Sequence, residues 1–260
     1  MENITMQLQN NEMEIKKPSK PLIEIKDLRK SFGENHVLNG FNLQLFENEN
    51  VVIVGKSGSG KSVLLKCIVR LTEYDSGNIL VLGEDIAELE QQSLDKLRTD
   101  VGFLFQGSAL YDSMTVRENL EFPLRRHVKR MKGLDENELI ISSLRSVGLE
   151  DAIDLMPIEL SGGMKRRVAL ARTLILRPKI ILYDEPTTGL DPITSKEIIN
   201  LILKIQDEYD TASLIITHDM DCARVISNRM VILVDGIDYA NGTYSSLSKS
   251  EDAKVKAFFK

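Results

Sequence analysis

Long apolar runs are missing from this sequence: no stretch approaches the roughly 18–20 apolar residues needed to cross a bilayer. The amino end also lacks the charged start and apolar core of a secretory signal. Cysteine is scarce. Cys67 and Cys222 are the only two, far apart in apolar segments, which implies buried free thiols in a reducing compartment. Positive charge is not in excess either. Lys and Arg total 33 against 39 Asp and Glu, a formal net charge of −6, and on bulk electrostatics this argues against a nucleic-acid partner. These absences place the chain in the cytosol or against the cytosolic face of a membrane. What remains is 260 residues of ordinary apolar content, enough for one large α/β domain or one domain with an inserted lobe.

The most informative stretch is Gly55-Lys56-Ser57-Gly58-Ser59-Gly60-Lys61-Ser62. It follows the apolar run Val51 to Val54 and leads into the apolar helical pattern Val63 to Val69. The order is buried strand, glycine-rich turn, helix. Glycines let backbone N–H groups crowd round a polyphosphate, and the helix N-terminus adds a favourable dipole. Lys61 is then expected to reach the β- and γ-phosphates, and the Ser62 hydroxyl to sit on Mg²⁺. The pattern implies nucleotide binding.

Residues 1–21 are polar and broken by Pro18 and Pro21, and read as a mobile tail. Leu22 to Ile25 alternates like a strand, Lys30 to Asn35 reads as a turn, and Val37-Leu38 with Phe41 to Leu45 gives a second strand region. Together they predict an antiparallel β layer ahead of the loop. Phe32 in that turn can stack on a base or simply pack, with Val37 beside it. A short strand is expected at Gly77 to Gly83, a helix at Leu89 to Leu97, and a buried strand at Val101 to Phe105 ending at Gln106. Gln106 suits either a surface loop or contact with Mg²⁺ or an attacking water. Residues 109–160 turn helical in spacing over Val116 to Leu124 and Glu136 to Val147, predicting a helical lobe inserted between halves of the sheet. The basic run Arg125 to Lys132 between them reads as a solvated face or as a contact for a partner or lipid headgroups.

Leu160-Ser161-Gly162-Gly163-Met164 opens a helix over Lys165 to Leu176, stopped before Pro178, with Ser161 as its cap. Two glycines at that start again offer N–H groups to an anion. Ile180 to Tyr183 is an apolar strand closed by Asp184 and Glu185. At the C-terminal end of a parallel strand, the first acid can hold Mg²⁺ and the second can orient or deprotonate a nucleophile. Thr187 to Pro192 is a turn before an amphipathic helix, Ser195 to Tyr209, and Leu214 to Thr217 is a further buried strand. His218 at its end is either a satisfied structural residue or a γ-phosphate contact. Asp235-Gly236 marks a hairpin, and Glu251 to Phe259 a short helix whose Phe258 and Phe259 seek a docking surface. His36 and His127 carry no matching chemistry.

Taken together, residues 22–245 resemble the ATP-binding subunit of ABC transporters, with 246–260 as a C-terminal extension. A bare phosphate loop is shared with kinases, GTPases and helicases; the Leu160-Ser161-Gly162-Gly163 helix start is not. The resemblance implies a P-loop NTPase core with a mostly parallel sheet, and a head-to-tail homodimer with two ATP molecules between subunits. Each nucleotide would lie on one chain's phosphate loop, Gly55 to Ser62, and under Ser161, Gly162 and Gly163 of the other. By motif match Phe32 falls at the base-stacking position and Gln106 at the Q-loop. Asp184 falls at the Mg²⁺ carboxylate, Glu185 at the catalytic base, Asp191 at the D-loop and His218 at the switch histidine. Two departures are visible: Phe32 stands where tyrosine is common, and Met164 replaces the usual glutamine. Phe105 to Val116, Leu160 to Arg172 and Tyr183 to Pro192 further resemble the MlaF-type ATPases. That likeness implies phospholipid transport between bacterial membranes, from the cytoplasmic face of the inner membrane, with integral permease subunits and an MCE-domain lipid-binding protein. Rival expectations are an ABC subunit for another cargo, such as a lipoprotein, amino acid or metal complex; a soluble ABC protein; and a simple P-loop kinase.

Overall fold

The computed structural model describes residues 20–127 and 133–259. All but the last two residues of the expected N-terminal tail lie outside the described residues, as do 128–132 of the basic run. In chain order the elements begin with β1 (Ile23–Phe32), β2 (Asn35–Leu45), β3 (Asn50–Val54) and α1 (Lys61–Ile68). Next come β4 (Ser76–Val81), β5 (Glu84–Asp85), α2 (Gln91–Asp100), β6 (Val101–Leu104), α3 (Val116–Arg126) and α4 (Glu136–Ser146). The chain continues through α5 (Gly162–Leu174), β7 (Ile180–Asp184), α6 (Pro192–Tyr209), β8 (Ala212–Thr217) and α7 (Met220–Ile226). It closes with β9 (Arg229–Val234), β10 (Ile237–Gly242), α8 (Tyr244–Ser248) and α9 (Ala253–Lys256).

Two sheets form. The order β10-β9-β3-β8-β7-β6 makes a six-stranded sheet, parallel throughout except for β10, which pairs antiparallel with β9. The order β2-β1-β4-β5 makes an antiparallel layer. Its third and fourth strands come from after the phosphate loop, so the layer is not built from the N-terminal residues alone. Asn39 ties the two sheets together: its side chain donates to Asp235 O at 2.8 Å and its backbone N–H to Gly236 O at 2.9 Å.

The parallel strands are continuous apolar runs because both of their faces are covered. Alternate side chains go to opposite sides. Val52, Val54, Ile181, Tyr183, Ile215 and Ile232 enter a core shared with α3 to α7. Val51, Ile53, Ile180, Leu182, Leu214 and Val231 enter a second core with α1 and the antiparallel layer.

Local chemistry sets the helix starts. Thr115 and Glu118 form a reciprocal capping box on α3, and Asp135, Ser161 and Asp191 each accept first-turn N–H bonds of α4, α5 and α6. The β9–β10 turn has Asp235 and Gly236 both at positive φ, 52° and 80°, as a two-residue hairpin of the primed type requires.

Several expected boundaries move. The turn at Lys30 to Asn35 shrinks to Gly33-Glu34, because β1 and β2 stay paired down to Phe32 opposite Asn35. The helix expected from Leu89 begins at Gln91 and runs to Asp100; α5 starts three residues earlier than expected, at Gly162, and α6 starts at Pro192. In α6 the Asp191 cap and Pro192 at the first helical position account for the early start. α8 runs across residue 245, and Leu247 and Val255 are buried in the same core as α5 and α6. Phe258 and Phe259 pack on that core, with Phe259 edge-on to Tyr244 at 5.3 Å between ring centres; the surface they dock on is this chain's own. Cys67 and Cys222 are buried and free, and burial pushes their thiols up to about 11 and about 12.

Phe41 fills the second core and is fully buried. Phe41→Ala is expected to cost about 3–5 kcal/mol of unfolding free energy, through lost transfer energy and the cavity left behind. Chemical denaturation of the nucleotide-free protein measures it, and a loss under about 1 kcal/mol would mean the layer is not packed through this ring.

Candidate functional site

Because β3, β8, β7 and β6 run parallel, their C-terminal ends share one edge, which is where open α/β sheets place ligands. The phosphate loop leaves β3, Asp184 and Glu185 close β7, His218 follows β8, and Gln106 lies two residues past β6. A cavity of about 320 Å³ at this edge is bounded by Phe32 and Val37 on one side. Lys61, Ser62, Gln106, Glu185 and His218 bound it on the other, with Ser57, Gly58 and Gly60 of the loop between them. Phe32 sits at the end of the β1–β2 hairpin with half its surface exposed (52%), and Lys30 Nζ lies 4.9 Å from its ring centre.

The loop itself is tight. Gly60 sits at φ 98°, and a Cβ there would come within 2.5 Å of Val37 Cγ1, so only glycine lets the loop turn into α1. Lys61 is buried. Its ammonium donates to Gly55 O at 2.9 Å and Lys56 O at 3.2 Å, and lies 3.6 Å from Glu185 Oε1.

Ser62 Oγ donates to Asp184 Oδ1 at 2.9 Å. Burial raises the Asp184 carboxyl above its ordinary value; the Ser62 hydrogen bond works against this, and the neighbouring Glu185 charge works with it. Glu185 has φ 50°, an uncommon left-handed geometry for a long side chain. It is held there by three donors to Oε2: His218 Nδ1 at 2.9 Å, in the tautomer carrying that proton, the His218 backbone N–H at 3.3 Å, and Thr188 Oγ1 at 3.1 Å.

Among the described residues no cluster of three or more His, Cys, Asp and Glu could hold a metal. A hydroxyl and a single buried carboxylate 2.9 Å apart suit a cation that keeps waters and takes its remaining oxygens from phosphates, as Mg²⁺ does. The donor set fits that ion.

The remaining candidates lie elsewhere. Ser161 and Gly162 are exposed at the start of α5, where Ser161 Oγ accepts from Met164 N at 3.2 Å. Gly163 faces the first turn of α6; a Cβ there would meet Thr194 Cγ2 at 2.5 Å. Asp191 caps α6, and hydrogen bonds from Thr194, first from its side chain and then from its backbone, hold its carboxyl below the ordinary range. Asp191 and the Ser161-Gly162-Gly163 start therefore form a second group, and none of the four lines the phosphate-loop cavity.

Sequence reasoning missed Thr188, which steadies Glu185, and Asp219, which accepts from Thr187 Oγ1 at 3.2 Å and caps α7. It also missed Arg166, buried from α5 against the Gln106 backbone. The signal for Arg166 was weak: Lys165-Arg166-Arg167 reads as one basic run, and only the helix turn separates the buried arginine from Arg167, which pairs with Glu197.

Known proteins match this arrangement. Residues 38–188 match the family described as "ABC transporter". The methionine import ATP-binding protein MetN of Clostridium tetani is 42% identical over 215 residues, covering 83% of this chain and 67% of that protein. The intermembrane phospholipid transport system ATP-binding protein MlaF of Haemophilus influenzae is 37% identical over 239 residues, 92% of this chain and 90% of that one. The probable ribonucleotide transport ATP-binding protein mkl of Mycobacterium leprae is 39% identical, covering 91% and 68%. Among solved structures, the dimeric post-hydrolysis state of the ATP-binding cassette MJ0796 bound to ADP and Pi superposes with a TM-score of 0.77 at 34% identity, over 85% of this chain and 98% of that one. Cavity, loop and acids thus have the same explanation as the matched sequence: this chain belongs to the ABC transporter family, as an ATP-hydrolysing subunit that uses ATP with Mg²⁺.

Proposed function

We propose that this ATPase powers phospholipid transport between membranes through separate integral permease subunits, working as a head-to-tail homodimer on the cytoplasmic face of a bacterial inner membrane. The cargo reading is supported by the MlaF relative, alike over nearly the whole length of both chains, and an MCE-domain lipid-binding protein is the further partner it suggests. The MetN relative, at 42% identity, supports a second reading in which the cargo is an amino acid. Among the described residues no helix is long and apolar enough to cross a membrane, so the transmembrane path is assigned to other subunits.

The chemistry rests on one observation: Lys61, Glu185 and His218 meet at the mouth of the phosphate-loop cavity. Phe32 and Val37 hold the base, and the loop from Gly55 to Ser62, Lys56, Ser57, Gly58 and Ser59 included, wraps the phosphates with N–H groups. Lys61 trades its carbonyl contacts for phosphate oxygens. Ser62, Asp184 and Gln106 would hold Mg²⁺, which supplies positive charge beside the β- and γ-phosphates when bound. Glu185, aimed by His218 and Thr188, takes the proton of an attacking water, and Lys61 with His218 stabilises charge on the γ-phosphoryl oxygens. Ser161, Gly162, Gly163 and Asp191, all outside that cavity and all but Gly163 exposed, serve the partner's nucleotide. Nucleotide then favours the closed dimer by no more than its affinity difference between the two states.

Glu185→Gln is expected to keep ATP affinity while lowering turnover on the order of 10²–10⁴-fold, roughly 3–5 kcal/mol of barrier. Phosphate release at saturating ATP reads it, and near-parental turnover would remove Glu185 from the role of base.

Asp184→Asn tests the metal side. A carboxyl raised on folding binds its proton more tightly in the native state, so ionised Asp184 costs stability increasingly as pH rises from its ordinary value near 3.8 through its raised one. The variant is expected to raise the nucleotide-free melting temperature at pH 7, by about 2–4 °C per kcal/mol relieved, with the gain vanishing below about pH 4. It is also expected to lose the Mg²⁺ dependence of nucleotide binding. A lower melting temperature at pH 7 would contradict the assignment of burial as the dominant cause.

For the cargo, the complex extracted in mild detergent is expected to retain phospholipid and a permease subunit, identified by mass spectrometry. Recovery with a methionine-binding partner and no lipid would transfer the reading to amino-acid import.

A further inference from the structure

Helix α5 reaches the loop that carries Gln106 in a way its exposed start does not suggest. Arg166, 4% exposed, donates from Nη1 to Phe105 O at 2.7 Å and from Nη2 to Gln106 O. Two turns further along α5, Arg172 donates to Ala109 O at 2.8 Å and Ser108 O at 3.1 Å. At the second fork the backbone is in an unfavourable conformation: Ser108 and Ala109 are consecutive non-glycine residues at φ 62° and 50°, a left-handed geometry that side chains disfavour and that persists only where the surroundings impose it. Arg166 Nε is buried with no hydrogen-bond partner. A buried cation with an orphan donor is a poor way to gain stability, so stability does not account for its place against the Gln106 loop.

We propose that Arg166 and Arg172 are positioning residues: together they hold the loop from Phe105 to Ala109 in its strained form and so keep Gln106 at the nucleotide cavity, making the placement of α5 a condition for hydrolysis. The inference rests on Gln106 acting at that cavity, as read above. The consequence is directional. Any displacement of α5, whose first turn carries Ser161 to Gly163, moves four carbonyls of the Gln106 loop with it, because the two forks leave the segment little independent freedom. If the forks are cut, the strained residues relax and Gln106 leaves the cavity.

The test uses the full-length protein, with Mg²⁺-dependent phosphate release, melting temperature and amide exchange of the 104–112 peptide read on each variant. Arg166→Met replaces the cation with an apolar chain of similar length. It is expected to leave the melting temperature within a few degrees of the parent, raise exchange in 104–112 but not in α5, and lower kcat about 10–100-fold. Arg166→Lys is expected to recover part of the rate. Arg172→Met is expected to slow turnover in the same way, and adding Ala109→Gly, which removes the left-handed penalty, to restore it several-fold. A merely structural arginine would not be rescued by a glycine in the loop it holds. Gln106→Ala in the same assay separates the two readings. If it hydrolyses ATP at the parental rate, the role given to Gln106 fails. If it is slow while Arg166→Met is not, or if Ala109→Gly changes nothing in the Arg172→Met background, the clamp is wrong. Should Arg166→Met not fold, the Arg172→Met and Ala109→Gly pair still decides.

Discussion

A buried ammonium is the constraint around which this molecule is arranged. Lys61 is almost wholly out of water, and a buried charge is tolerated only with partners. In the chain as described, those partners are two carbonyls of its own loop and Glu185 at 3.6 Å. None of these is a substitute for a polyphosphate, which would bring several negative oxygens to the same point. The loop can keep a cation there only because β3 lies inside a sheet whose strands β7 and β8 present Asp184, Glu185 and His218 at the same edge.

The sheet supplies the rigidity this demands. Every central strand sends alternate side chains into two separate cores, so a shift of β7 or β8 would have to disturb packing on both faces at once. That stiffness is what allows Glu185 to be held at a left-handed φ by His218 and Thr188. Strain of this kind persists where surrounding structure over-determines it. The same reasoning applies at Ser108 and Ala109, where the imposing groups are side chains of α5.

Two groups of residues emerge with different surroundings. The phosphate loop, Glu185 and His218 converge within one chain on a single cavity, with Asp184 joined to it through Ser62. Ser161, Gly162, Gly163 and Asp191 converge instead on the α5–α6 junction outside that cavity, all but the half-buried Gly163 exposed. A division of this kind fits the head-to-tail dimer proposed above, in which each nucleotide would draw on residues of both copies. Helix α5 belongs to both groups, with its start in the exposed one and Arg166 against the loop that carries Gln106.

Much of this was legible in the residues alone, for local reasons. Glycine spacing, the four-residue apolar runs and the capping residue Ser161 each act within a few positions, so their meaning does not depend on distant partners. The elements carrying Lys61, Ser62, Asp184, Glu185 and His218 could therefore be named in order. What could not be read was whatever long-range pairing decides. β4 joins the antiparallel layer because it pairs with β1, some fifty residues away in sequence, and β5 follows by pairing with β4; no local pattern distinguishes that from the main sheet. Arg166 and Arg167 are neighbours in one basic run; a helix turn of about 100° buries one and leaves the other half-buried against Glu197. The backbone strain at Glu185, Ser108 and Ala109 is likewise a property of the packed state, since nothing in those residue types asks for a positive φ. Composition and spacing by themselves determined that this chain binds nucleotide on a P-loop; which side chains bring Glu185 and His218 together beside that loop was decided only by tertiary packing, because those contacts join residues that sequence distance keeps apart.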